Sequence, residues 1–349
     1  MRSCFLVTVV IPAFNVAPWL PMLFDGLDGQ TFRDFETIFV DDGSTDKTGA
    51  LLDAYAASQD GVRVLHQSNR GVSAARNAGV DAASGKYIAF IDGDDTVAPS
   101  YLDDLFSLST SLDLDFAMCN GWRLRELPGD MNEHSLFVLP KPEGVMSGVE
   151  WFEATFSEGM WCGNVYMTMV RRDFLLHHKI RFMEGIIAED ILWNALVQSK
   201  AKRVAYKPKQ NYYYRCTPGS IMNNTSLAGK LRMIYSGMLV IEELWRMADT
   251  ETPRIAALFN RLGTVQGRIL LRQVAGIGSL RPRIAISTEL RRRGFLSRLF
   301  RKTETIGHRR RIFMAYWHAW LGAFAGETTS AGVGRPENAF LQGMKSLNP

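Results

Sequence analysis

Four cysteines in 349 residues, Cys4, Cys119, Cys162 and Cys216, stand far apart and form no CxxC pair. A zinc knuckle is thereby excluded, and a reducing compartment fits better than a disulfide framework. The six histidines show no metal-ligand spacing either. No apolar run reaches the roughly 20 residues of a membrane span. The opening MRSCFLVTVVIPAF carries one Arg and an apolar stretch but no A-x-A site. It reads as a buried strand, not a signal peptide, and a cytoplasmic location is expected. GxGxxG is missing after that strand and GxxxxGKS/T is missing throughout, so neither a dinucleotide site of the Rossmann kind nor a P-loop is supported. Strong net charge is also lacking, at +4. Its distribution is uneven: Arg281 to Arg311 holds 11 Arg or Lys against 2 Glu, a local +9 that leaves −5 elsewhere. With 46% hydrophobic and 22% charged residues, the chain is globular and long enough for two or three domains.

The stretch that organises what remains is YIAFIDGDD, residues 87–95. Tyr87 to Ile91 reads as a buried strand that ends in Asp92, Asp94 and Asp95. In extended backbone Asp92 and Asp94 share a side, two hard oxygen donors suited to a Mg²⁺ or Mn²⁺ that also holds substrate phosphates. Gly93 between them lets a ligand come close. An isolated DxD is more often a solvated acidic turn, so the neighbouring segments decide the matter.

Those segments alternate strand and helix. Phe5–Ile11 reads as a strand stopped by Pro12, and 17–29 as a helix. Phe35–Val40 is a second strand, followed by a helix capped by Ser44 or Thr45. Val62–His66 is a third strand, and 69–79 opens a third helix. Short turns between them predict a parallel sheet covered on both faces, with ligands beyond the carboxyl ends of its strands. Phe14 and Asn15, Asp41 and Asp42, Asn69 and Arg70, and Asp92 and Asp94 all fall at such ends. Asp41 can accept the imide N–H of a pyrimidine, Phe14 offers a ring for stacking, and Asn69 and Arg76 can reach base or phosphate oxygens. Asp42 either joins this site or only braces its turn, and Asp46 reads as a helix cap.

VVIPAFN, FVDDGSTDKT, NRGVSAARNAG and FIDGDD, in this order and spacing, resemble the family 2 glycosyltransferases over roughly residues 5–110. The resemblance implies a GT-A fold and inverting sugar transfer from a nucleotide-sugar, with Mn²⁺ or Mg²⁺ as cofactor. It implies that Pro12, Ala13 and Phe14 line the base pocket, that Asp41 pairs with the base, and that Asn69 and Arg76 complete the pocket. Asp92 and Gly93 would contact the nucleotide, and Asp94 would ligate the metal together with Asp92.

Downstream, FMEGIIAEDILWNALVQS (182–199) reads as a helix entered through Glu189 and Asp190. Acids there can simply cap the helix and complement its dipole. The resembled family carries an ED pair at this point, and its second acid is the catalytic base. That implies Asp190 as base, with Glu189 orienting the loop or touching the acceptor. NYYYRCTPGSI (211–221) resembles a segment that closes over the diphosphate, which implies Arg215 and Ser220 as phosphate ligands. The stretch before Arg171 lacks a Lys often found there in the family, and Trp161 is either a sugar platform or a core residue.

From residue 225 on the pattern is helical, over 227–247, 253–274 and 283–293. Phe295, Leu296, Leu299 and Phe300 lie on one helix side and Arg298, Arg301 and Lys302 on the other; IFMAYWHAWLGAF (312–324) is aromatic-rich. A helical appendage with a solvated basic face is the plain reading. Docking of 281–324 on an anionic membrane surface is the sharper one. Aromatics segregated from arginines argue against nucleic acid.

The expected architecture is α/β: a GT-A-like, mainly parallel sheet with helices on both faces, plus an α-helical C-terminal extension. Residues 1–120 would bind the nucleotide-sugar, 121–224 the acceptor, and 225–349 would form the helical region. The expected function is metal-assisted inverting transfer from a UDP-sugar to a hydroxyl of a glycan or lipid-linked saccharide. Two alternatives stay open: a non-catalytic glycan-binding or assembly subunit, and a sugar-nucleotide nucleotidyltransferase. The latter would need a Gly- and Lys-rich first turn that Pro12 to Asn15 does not supply.

Overall fold

A computed structural model describes residues 5–124, 134–135, 144–157, 161, 163–216, 226–302 and 310. Ser220 and the segment 312–324 lie outside the described residues. The chain forms two compact units, residues 1–185 with 189–220 and residues 186–188 with 221–349.

The first unit begins with β1 (Val7–Ala13), α1 (Leu20–Asp28), β2 (Phe35–Asp41), α2 (Thr48–Ser58), β3 (Val62–His66), α3 (Val72–Ala82) and β4 (Tyr87–Phe90). All seven residues of β1 are buried, as in a strand covered on both faces. It pairs in parallel with β2 on one side and β4 on the other, and β3 extends the sheet beyond β2. Then follow β5 (Thr96–Val97), α4 (Tyr101–Ser111), β6 (Phe116–Leu124), β7 (His134–Ser135), α5 (Gly148–Ser157), β8 (Thr168–Arg171), α6 (Arg172–His177), α7 (Glu189–Lys200) and β9 (Val204–Arg215). One nine-stranded sheet results, in the order β3-β2-β1-β4-β8-β6-β9-β5, with β7 beside β6. The parallel order expected for the first four strands holds. Beyond β4 the sheet is mixed, because β8 runs antiparallel to both β4 and β6 while β6 and β9 are parallel.

Two local expectations need correction. Pro12 does not stop β1: it pairs with Val40, and Ala13 with Asp41. Val10 gives its carbonyl to Ile91 on the β4 side. Two residues on, Pro12 faces the same way but past the end of β4, where its missing N–H leaves no ladder bond unmade. Second, α2 starts at Thr48 and is held not by Ser44 or Thr45; the reading of Asp46 as the cap is the one that fits, since its Oδ1 accepts the Thr48 N–H at 2.8 Å. Further on, β9 runs unbroken from Val204 through the NYYYR segment.

The second unit is helical in its described part: α8 (Leu227–Ala248), α9 (Pro253–Ala275), α10 (Leu280–Arg292) and α11 (Phe295–Lys302). Leu231, Ile234, Trp245, Leu271, Leu290, Phe295 and Leu299 share its core. The apolar side of α11 is thus spent on packing inside this unit. No described helix is long and apolar enough to cross a membrane.

Candidate active site

The strand ends assemble as expected, and the contacts say what each polar group does. At the end of β4, Asp92 Oδ1 accepts from Arg76 Nη2 at 2.7 Å. The other end of the same guanidinium reaches Glu189 Oε1 at 2.5 Å. Arg76 sits on α3 at 4% exposure and Glu189 at the start of α7 at 7%. Arg76 is therefore the bridge between the DGDD turn and the ED pair. The nearby carboxylates outweigh burial and keep it charged. Each of its terminal nitrogens donates to one carboxylate. Glu189 thereby has a definite partner, and that partner is Arg76.

Asp190 follows on the first turn of α7. Its Oδ1 accepts from the Ile191 N–H at 2.9 Å, and its carbonyl accepts from Asn194 Nδ2 at 3.2 Å. Burial, reinforced by the charge of Glu189 and opposed by Arg76, pushes its carboxyl up to about 7. A carboxylate with its pKa near neutrality, partly open to solvent, has the properties of a general base.

Asp95, the third acid of the motif, carries a role that the sequence reading missed. It is buried, its Oδ2 accepts from the Tyr212 hydroxyl at 2.6 Å, and its Oδ1 accepts from the Arg215 N–H at 2.7 Å. The Tyr212 oxygen in turn accepts from the Asp92 N–H at 3.1 Å. Thus β9 clamps the DGDD turn through Tyr212. Alternation in NYYYR, with every second side chain on one face, was the available signal. Gly93 is required by that same tight turn, because a Cβ there would lie 2.8 Å from the Pro12 carbonyl and 3.2 Å from Val16 Cγ2. The close neighbour that excludes a side chain is β1.

Arg215 lies alongside. Its Nε donates to the Asp94 carbonyl at 3.1 Å, and its guanidinium carbon sits 4.7 Å from the Trp19 ring centre. Of the residues expected to meet a base, Phe14 is 46% exposed beyond Ala13 at the end of β1, and Asn69 is exposed between β3 and α3. Asp41 is buried, with Oδ1 accepting from the Ser44 N–H and Oδ2 facing His66 Nδ1, both at 3.0 Å. Burial alone would raise its pKa; the bonds from Ser44 and His66 outweigh it and hold the carboxylate low. Asp42 proves to be a brace, accepting from the Arg70 and Gly71 N–H groups and from Gln67 Nε2. Trp161 belongs to the packing: it stacks on Phe152 and donates to Gln198 Oε1.

Among the described residues no three His, Cys, Asp or Glu side chains converge as a ready-made metal cage. Asp92 and Asp94 nevertheless fit a cation that takes one or two carboxylates and fills its other positions with water and phosphate. Crowded carboxylates at this turn support that fit, since the charges of Asp94 and Asp92 add to burial in raising the pKa of Asp95.

Residues 8–173 match the family model described as "Glycosyl transferase family 2". An uncharacterized glycosyltransferase, YibD, of Escherichia coli is 34% identical over 65% of this chain and 64% of its own length. An uncharacterized glycosyltransferase, EpsJ, of Bacillus subtilis is 33% identical over 62% of each. The chain thus spans a little under two thirds of these relatives. Among solved structures, residues 1–349 of Staphylococcus aureus TarS in complex with UDP-GlcNAc give a TM-score of 0.61 at 18% identity, over 94% of both chains. At that identity the likeness is one of fold alone.

Proposed function

We propose, from the match of residues 8–173 to the glycosyl transferase family 2 model, that the protein transfers a sugar, with inversion, from a UDP-sugar to a hydroxyl of a glycan or lipid-linked saccharide. The observation that carries the reading is the Arg76 bridge, which joins a DxD aspartate to the ED pair. Donor chemistry and acceptor chemistry are thereby held in one geometry. The UDP-GlcNAc complex of the S. aureus neighbour supports a uridine donor.

In this reading Phe14 stacks on the base and Asp41 accepts its imide N–H. Asp94, with Asp92, would hold Mn²⁺ or Mg²⁺, which when bound acts as a Lewis acid on the departing diphosphate. Arg215 approaches the same phosphates from β9. Asp190 takes the proton from the acceptor hydroxyl as that oxygen attacks the anomeric carbon, a contribution of roughly 10²–10⁴ in rate. Glu189 is a positioning residue: it fixes Arg76, which fixes Asp92.

Calorimetry with UDP and with GDP, each with and without Mn²⁺, tests the donor site. Metal-dependent UDP binding that Asp94→Ala abolishes is the expected result. If well-folded protein binds neither nucleotide, the enzyme reading fails and an assembly subunit of the same fold becomes the better account.

A further inference from the structure

A second chain of titratable groups leads away from the carboxylate centre, starting at Asp41. His66, the last residue of β3, places Nδ1 3.0 Å from Asp41 Oδ2 on β2 and Nε2 2.9 Å from Asp53 Oδ1 on α2. The turn after β1 joins in, because the Asn15 N–H donates to Ser44 Oγ at 3.0 Å and Ser44 donates its own N–H to Asp41. Phe14 and Asp41, the two groups assigned to the base, therefore depend on one network. Gly49 packs closely against one side of it: a Cβ there would lie 2.9 Å from Asp41 Oδ2 and 3.6 Å from His66 Cε1. Among the described residues, the charged groups facing the imidazole are Asp41 and Asp53.

A neutral imidazole has one N–H and one lone pair, so it satisfies one of these two carboxylates and presents a lone pair to the other. The cation donates to both. We propose that His66 is a positioning residue for the nucleotide base: as a cation it clamps Asp41 with an oxygen edge turned to an imide N–H, and on losing its proton it loosens donor binding. The proposal deepens the reading above and rests on Asp41 as the base acceptor. Its sense follows from the surroundings. The bond to Asp53 and then that to Asp41 outweigh partial burial and raise the His66 pKa above that of a free imidazole. The clamp is complete below the free-imidazole value and is lost as pH rises through the higher value in the folded protein.

The test is UDP binding to the full chain with Mn²⁺, by calorimetry from pH 6 to 8.5, for wild type, His66→Ala, Asp53→Asn and Asp41→Ala. His66 is followed in parallel by NMR of its ring protons. The wild-type to His66→Ala affinity ratio at each pH cancels titration of the ligand and of the metal ion. Expected is a ratio of about three- to tenfold at the acid end, the size of one ordinary hydrogen bond, since the ring is half exposed, shrinking toward alkaline pH with the NMR midpoint. Asp53→Asn removes a carboxylate exposed on α2, so both midpoints should move to lower pH together. A ratio independent of pH overturns the proposal, as does an NMR midpoint that moves in Asp53→Asn while the binding midpoint stays. If Asp41→Ala binds UDP as wild type does, the base assignment itself falls and the proposal with it. A weakened Asp41→Ala beside a pH-independent ratio condemns the His66 clamp alone.

Discussion

Arg76 illustrates how much of the site rests on a single side chain. Its guanidinium is buried between Asp92 and Glu189, so removing it leaves carboxylates without their partner in a poorly solvated place. Such a deletion typically costs 3–5 kcal/mol. Arg76→Met should lower the unfolding free energy read from urea titration by an amount in that range and weaken UDP–Mn²⁺ binding as well, both measurable on one preparation. Asp190 should behave differently. Asp190→Asn keeps the size and the helix-side bond but cannot accept a proton. Turnover should fall by about 10²–10⁴ while UDP affinity, read by calorimetry, holds. Because the wild-type carboxyl is raised to about 7, and the base must be ionised, activity should fall as pH drops through about 7 and level off above it. An acid limb near pH 4 would contradict this assignment. These roles were unequally legible. The strand-end positions of Asp41, Asp92 and Asp94 and the helix-start position of Asp190 were readable because they follow from local pattern. That Asp42 braces a turn and Arg76 bridges two acids was not, because the partners lie up to 113 residues apart.

At the scale of elements, the first half of the sheet was readable for the same reason. Each of β1 to β4 is an apolar run closed by a turn. β6 and the full length of β9 escaped, since their pairing is with each other and with β8, at long separation, and β9 is half polar. Two tests belong here. Ser147 and Glu150 form a reciprocal cap at the start of α5, with the Ser147 N–H donating to Glu150 Oε2 at 2.8 Å and the Glu150 N–H to Ser147 Oγ at 3.2 Å. Ser147→Ala should cost about 1 kcal/mol, seen as a shift in the denaturant midpoint without loss of UDP binding. Gly93→Ala strikes the contact between the DGDD turn and the Pro12 carbonyl, which is backbone and cannot swing away. Its effect should therefore reach metal-dependent UDP binding as well as stability, and unchanged binding would show that the turn can shift without consequence.

For the whole molecule, the question is what the basic tract does. Read from sequence, residues 281–302 combine cations with an apolar stripe, as a membrane-surface helix would. Folded, much of that resource is spent. Arg292 and Arg293 pair with Glu289, Arg293 also with Glu242, and Arg298 and Lys302 with Asp249. Phe295 and Leu299 are buried in the helical core. Sequence distance again hid the partners, since Glu242 lies 51 residues before Arg293 and Asp249 lies 49 before Arg298. Membrane docking, if it operates, should then depend on Arg309 to Arg311 and the aromatic run at 312–324. Flotation of the full chain with anionic vesicles at low salt tests this. Replacing Arg298 and Lys302 by Ser should leave the floated fraction unchanged, and Arg309, Arg310 and Arg311 replaced by Ser should lower it, each juxtamembrane cation being worth about 1 kcal/mol. Should the first pair of substitutions abolish flotation instead, the ion pairs to Asp249 would have to open at the membrane, and α11 would be the docking surface after all.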